Sequence, residues 1–382
     1  MYSQNGAGLG HFRRCANVAE AVVARRDDVH VVVASRSLWP AATLPLPERC
    51  DLLKLPTFAP LGEDAAGERR VLVDREDSAF LFLRKSLLIT LLEQLRPRTV
   101  LVDNEPRGLQ GELLEPLRRA RAEGLVERVV CGLRDVRGRP DYVVPKWRAN
   151  GTAEALAELY DAVLVYGDPS FFDTAAAYGL GGSIPVAVCW AGHVFRDRPE
   201  RSASDVREEL GMASGVPLVA VTAGSGADGF SLLHTYLDEA APLLPAGVSS
   251  VLVTGPLMPE EELAELRAKG DEGRQVLRTF DTVSLVHAAD AVVCRGGYNS
   301  VCEAVHAGHT PVVVPRSTAS GEQETRAEAF AERGLVQFLP PDAAGGVALA
   351  AAVTDQLAHG RNRASPFAPA HSAARAAREL VG

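Results

Sequence analysis

The chain of 382 residues lacks several things that would point to particular functions. Its six cysteines, at 15, 50, 131, 189, 294 and 302, are scattered without a CxxC pair. No two have zinc-ligand spacing, so they read as reduced thiols filling small core positions in a cytoplasmic protein. No Asp-x-Asp triplet occurs, and no metal site is expected. There is no excess of positive charge. The formal net charge of −9 argues against nucleic-acid binding driven by phosphate neutralisation. No apolar run reaches the roughly 18 residues that a spanning helix needs. The richest run, FLFLRKSLLITLL, is interrupted by Arg84 and Lys85. It reads as a core helix, with weak membrane-surface contact as the lesser alternative. The opening residues have no signal-peptide pattern.

What is present is hydrophobic content of 47%, enough for two packed cores in a chain of this length. Strand-like and helix-like segments alternate, which implies parallel sheets covered by helices. VHVVVA (29–34), TVLVD (99–103), RVVCGL (128–133) and AVLVYG read as buried strands of a first half. Residues 40–75, rich in Pro and Leu, read as loops with short elements. Polar residues 191–215 read as a linker containing one short helix. VPLVAVTAG, SSVLVTG, QVLRTF, DAVVCRG and TPVVVPR are strands of a second half. The expectation is an α/β protein of two doubly wound, Rossmann-like domains, 1–190 and 216–382, joined by 191–215. Ligands of such sheets sit beyond the carboxyl ends of the strands.

The most informative segment is CRGGYNSVCEA (294–304). A strand ends at Arg295-Gly296-Gly297 and a helix follows at once. Two glycines allow close backbone approach, and the N–H groups at the helix start, with Asn299 and Ser300, suit a diphosphate. Glu303, one turn on, suits the two hydroxyls of a ribose. The competing reading is a capping box, Ser300-x-x-Glu303, that needs no ligand. Glu322 and Gln323 open another helix after another strand, as acceptors for sugar hydroxyls or as ordinary acidic helix starts.

These pieces, TFDTVSLVHAADAVVCRGGYNSVCEAVHAGHTPVVVPR with GEQETRA, resemble nucleotide-sugar glycosyltransferases of the GT-B fold. They are most similar to the bacterial family containing the N-acetylglucosaminyltransferase of lipid II synthesis. The resemblance implies two domains facing a cleft. The backbone near Phe280 would read the nucleobase. Arg295, Gly296, Gly297, Asn299 and Ser300 would hold the diphosphate, and Glu303 the ribose. Glu322, Gln323 and Arg326 would face the donor sugar. TAGSGADG resembles the family's glycine-rich loop, with Gly224, Ser225 and Gly226 closing on phosphates, and GHVFR its hinge, where Arg196 would reach a phosphate or simply lie on the surface. NGAGLGHFRR, LVDNEPRG and GLRDVRGRPDYVVPKW resemble a predicted-glycosyltransferase branch, extending the similarity over nearly the whole chain.

The opening glycines raise a separate question. NGAGLGH has His11 where a dinucleotide fingerprint needs its third glycine, so that reading fails. Only Met1, Tyr2 and Ser3 precede the loop. Either that strand is very short, or the chain begins late. Gly8 and Gly10 are expected to let an acceptor approach, with Arg134 and Asp135 binding it or forming a loop salt bridge. His11 is the candidate base, because its ordinary pKa lies near neutrality, and Asp103 would orient it. The expected activity is transfer of a hexose-type sugar from a UDP or dTDP donor to a small-molecule acceptor. It would invert configuration and need no cofactor beyond the donor. A non-hydrolysing sugar-nucleotide epimerase and an inactive nucleotide-binding subunit are the alternatives.

Overall fold

The computed structural model describes residues 1–3, 10–36, 46–56, 60–63, 69–71, 78–213, 215–361 and 364–382. They form two compact units. The first comprises Met1–Asp135, Val143–Val194 and His371–Gly382; the second comprises Val136–Tyr142 and Phe195–Ala370.

Fifteen strands occur among the described residues, numbered here in chain order. The first unit holds β1 (Tyr2–Ser3), β2 (Val31–Ser35), β3 (Cys50–Lys54), β6 (Thr99–Asp103), β7 (Arg128–Arg134), β8 (Ala162–Tyr166) and β9 (Ala187–Trp190). These form one parallel sheet in the order β3-β2-β1-β6-β7-β8-β9. A small antiparallel pair, β4 (Pro60–Glu63) and β5 (Arg69–Val71), stands apart from it. The short elements expected within 40–75 include β3, whose mixed burial keeps it from standing out in the sequence as a strand. β9 was also missed; its four residues are only partly buried.

The second unit holds β10 (Leu218–Thr222), β11 (Ser249–Val253), β12 (Arg274–Leu277), β13 (Ala291–Cys294), β14 (Val312–Val313) and β15 (Gln337–Phe338). They form a parallel sheet in the order β12-β11-β10-β13-β14-β15. Alternate residues of β10 feed opposite cores. Val219 and Val221 pack with Leu252, Val293 and Leu349, while Leu218 and Ala220 pack with Val251, Val292 and Leu285. That is the signature of a sheet wound with helices on both faces. In both sheets the chain reverses direction at the middle strand, beside β1 and beside β10, and loops leaving the strands there diverge to make a crevice.

The helix Gly10–Arg25 buries Phe12, Cys15, Ala16, Ala19, Val22 and Val23 at the expected spacing. It also buries Arg14, which the apolar pattern does not predict. Arg84, read as an interruption in an apolar run, is fully buried in the helix Ser78–Leu95. Its Nε and Nη2 reach the Glu112 carboxylate at 2.5 and 2.6 Å, and Tyr2 donates to the same carboxylate at 2.5 Å. A buried ion pair survives only when its charges are so matched. The closing helix Pro369–Val381 docks on the first unit. Arg375 donates to Ala191 O at 2.9 Å, and Thr99 donates to Leu380 O at 2.8 Å. Nothing in the linear order of elements announces that return.

Candidate functional site

In the first unit, the helix after β1 and the end of β6 meet at the crevice. β1 and β6 are in register at Ser3 and Asp103, so the Asp103 carboxylate emerges where the first helical turn begins. His11 Nδ1 lies 2.6 Å from Asp103 Oδ2. Arg14, one turn along the same helix face, reaches Asp103 with Nε at 2.9 Å and Nη2 at 2.8 Å. The sequence pairs His11 with Asp103 but not with Arg14; the i, i+3 spacing from His11 was the available signal. Asp103 is completely buried, whereas the His11 side chain is 20% exposed.

Burial opposes a charge on Asp103, but Arg14 and His11 outweigh it and hold the carboxyl below its usual range. Burial likewise holds the His11 imidazole below its ordinary pKa. Asp103 opposes that shift, while Arg134 and Arg14 add to it. A neutral His11 must donate through Nδ1 to the carboxylate, which leaves Nε2 as a proton acceptor. Among the described residues nothing hydrogen-bonds Nε2.

The remaining first-unit residues fall out differently. Gly10 opens the helix. Gly8 lies outside the described residues. Arg134 ends β7 and contacts Asn104 Oδ1 at 3.4 Å; Asn104 itself takes a left-handed φ of 69°. Asp135, expected to bind an acceptor, is 1% exposed. Its carboxylate faces His193 Nε2 at 3.8 Å, and its carbonyl accepts from Thr174. It is therefore a buried residue that faces His193 within the first unit.

In the second unit the expected donor residues gather at the carboxyl ends of β10, β12, β13 and β14. Gly224 and Gly226 take φ of 69° and 94°. A Cβ on Gly226 would sit 2.4 Å from Thr254 O, so this loop nests against the one after β11. A Cβ on Gly296 would sit 2.8 Å from Gln323 Cβ, whereas one on Gly297 would meet open space.

Gly297 is the N-cap of the helix Tyr298–His306, and no side chain caps it. Ser300 is thus inside the helix, and the capping-box reading of Ser300 and Glu303 is overturned. Gly297 has no side chain with which to cap the first-turn N–H groups, which face out of the helix start. Asn299 and Ser300 are half-buried beside them, and Glu303, 4% exposed, lies further along the helix. Phe280 packs against the core, with the Arg201 guanidinium 4.5 Å over its ring.

Two arginines depart from expectation. Arg295, expected at the phosphates, is 8% exposed and reaches Asp228 O at 2.8 Å and Ser231 Oγ at 3.1 Å. It braces the glycine-rich loop. Arg326, expected to face the sugar, is fully buried. It donates to Gly296 O at 2.9 Å, Val136 O at 3.1 Å and Glu322 Oε1 at 3.3 Å. A buried guanidinium must spend its donors locally, and this one props the Gly-Gly turn. Gln323 accepts from the Arg316 N–H at 3.1 Å. Arg196, in the hinge-like segment, is paired with Asp281 and Glu200.

Comparison with known proteins bears on the second unit. Residues 218–380 match the glycosyltransferase family 28 C-terminal domain. The match to this domain takes in β10, the glycine-rich loop, the Gly-Gly turn, Glu303 and Glu322. Two curated relatives bear the name UDP-N-acetylglucosamine–N-acetylmuramyl-(pentapeptide) pyrophosphoryl-undecaprenol N-acetylglucosamine transferase. That of Halorhodospira halophila is 32% identical over 157 residues, 40% of this chain and 43% of the relative. That of Opitutus terrae is 33% identical over 159 residues, 40% of this chain and 42% of the relative. The chain thus aligns with less than half the length of these relatives.

Among solved structures, the glycotransferase of kitacinnamycin has a TM-score of 0.59 at 19% identity, covering 99% of this chain and 94% of that one. MurG of Acinetobacter baumannii has a TM-score of 0.55 at 14% identity, with 99% and 94% covered. The chain therefore resembles nucleotide-sugar glycosyltransferases and has the GT-B fold of two doubly wound units.

Proposed function

We propose that the protein is a glycosyltransferase that moves a sugar from a nucleoside-diphosphate sugar to an acceptor hydroxyl. The observation that carries this reading is the uncapped start of the helix Tyr298–His306, at the switch point of the family 28 domain, with Glu303 buried along it. The N–H groups there suit the two phosphates, and Glu303 suits the ribose diol. His11, with Nδ1 committed to Asp103, acts as base.

In the transfer, His11 Nε2 takes the hydroxyl proton and the acceptor oxygen forms a bond to the anomeric carbon. The bond from that carbon to the diphosphate oxygen breaks, and its electron pair leaves on the diphosphate. The helix-terminal N–H groups stabilise that developing charge, a role that elsewhere falls to a metal ion. Attack in line inverts the anomeric centre. The relatives' alignments stop short of covering the His11 crevice together with the donor site, so their acceptor is not carried over. The acceptor is read only as a hydroxyl compound, and the donor as a UDP- or dTDP-sugar.

The test is a thermal-shift panel of nucleoside diphosphates and their sugars. A true donor at about 100 times its dissociation constant adds roughly 2.7 kcal/mol of stability. A panel with no shift overturns the reading. Incubation with a sugar nucleotide and no acceptor separates the epimerase, because only that enzyme produces a new sugar nucleotide.

A further inference from the structure

The His11–Asp103 pair does not stand alone. The carboxylate is fully buried, and both of its oxygens are held by the Arg14 fork, at 2.9 Å to Oδ1 and 2.8 Å to Oδ2. Bidentate guanidinium–carboxylate pairing fixes orientation as well as charge. Arg14 Nη2 also lies 3.0 Å from His11 Nδ1. With Nδ1–H donating to Oδ2, this is an approach of two donors that share one oxygen, not a hydrogen bond between them. A second proton on the imidazole would add a positive charge directly beside the guanidinium.

Arg14 is seated in turn. Its guanidinium lies 5.0 Å over the Tyr166 ring. The Tyr166 hydroxyl occupies the notch over Gly132, where a Cβ would lie 2.3 Å away. Gly132 is the register partner of Asp103 across β6 and β7. A column therefore runs from Gly132 through Tyr166, Arg14 and Asp103 to His11, all inside the first unit.

We propose that Arg14 is a positioning residue for the base: it clamps Asp103 so that His11 keeps its proton on Nδ1 and offers Nε2 as acceptor. The proposal rests on the reading of His11 as base. It goes beyond that reading in assigning the tautomer and the basicity of the imidazole to a third residue. The charged groups facing His11 are Asp103 from β6, Arg134 from β7 and Arg14 from its own helix. Cys15 and Tyr166 face Asp103. Residues 4–9, QNGAGL, add no titratable side chain. With Arg14 gone, the whole negative charge of Asp103 falls to the imidazole, and a positive neighbour disappears. Both effects favour the protonated ring.

The experiment is long-range 1H–15N NMR on the full chain labelled with 15N-histidine, His11 being assigned by its loss in His11→Gln. Wild-type protein shows the Nδ1–H tautomer and titrates below an ordinary histidine. Arg14→Met moves the midpoint up by about one pH unit. Arg14→Lys, which keeps the charge but not the fork, restores the low midpoint while mixing the tautomers. A folded Arg14→Met protein with wild-type midpoint and tautomer overturns the proposal. Should that variant not fold, an unmixed tautomer in Arg14→Lys does so. The signal is read without any acceptor. Full turnover in His11→Ala, alongside a shifted titration in Arg14→Met, would sink the base and leave the clamp standing.

Discussion

At the scale of single residues, two histidines lie in different settings. His11 combines a neutral ring, a committed Nδ1 and an Nε2 with no hydrogen bond among the described residues. His11→Ala is expected to lower the transfer rate by about 10²–10⁴-fold, the usual worth of a positioned base. Steady-state turnover with a donor identified by thermal shift checks this, and an unchanged rate removes His11 from the mechanism. His309 lies fully buried in the second unit, with Nε2 bonded to Val286 O at 2.8 Å. Burial lowers its pKa to about 4, with that bond acting in the opposite direction. The unfolded chain takes up this proton near pH 6.5, the folded chain only near 4. Stability is therefore intact above pH 6.5 and falls as pH drops towards 4, by about 3 kcal/mol in all. Melting curves of wild type and His309→Gln from pH 7 to 4 test it. The variant, whose amide keeps a donor for Val286, should lose part of the acid sensitivity; parallel curves count against the assignment.

At the scale of elements, the turn from β13 into the helix Tyr298–His306 separates two kinds of glycine. Gly296 is forced by packing, since a Cβ would strike Gln323 at 2.8 Å. Gly297 is not forced by packing, because its surroundings are open and its φ is −69°. Gly296→Ala should destabilise the fold by about 1–3 kcal/mol, the cost of overpacking. Gly297→Ala should leave the melting temperature nearly unchanged and weaken nucleoside-diphosphate binding, because only a bound phosphate needs that space. Calorimetry beside thermal melts distinguishes them, and undiminished affinity in Gly297→Ala argues against the phosphate site. The sequence made both glycines and the helix visible. It left the capping box open, because S-x-x-E is a local pattern and the N-cap is set by where β13 releases the chain. The resemblance implies a sugar contact for Arg326, and sequence alone could not show that Gly296 and Val136, distant in the chain, take up its donors inside the fold.

At the scale of the whole molecule, two sheets with the same middle-strand reversal carry different chemistry at equivalent places. The first has the hydrogen-bonded His11–Asp103 pair after β1 and β6; the second has glycines and a helix start after β10 and β13. Hydrogen-exchange mass spectrometry with UDP or dTDP should show the largest gain in protection over 222–229 and 278–303. A maximum over the ends of β1 and β6 would reassign the nucleotide. Alternating strands and helices, the glycine turns and the residues at strand ends were all legible in the sequence, because period and turn chemistry are local properties. So were His11 and Asp103 as a pair, from the glycines just before His11 and the strand end at Asp103. What only the tertiary structure decided is which charges go inside. Arg14, Arg84 and Arg326 are each buried against a carboxylate or carbonyls. Their desolvation is tolerable only because folding brings partners such as Asp103, Glu112 and Val136 to them from other segments of the chain.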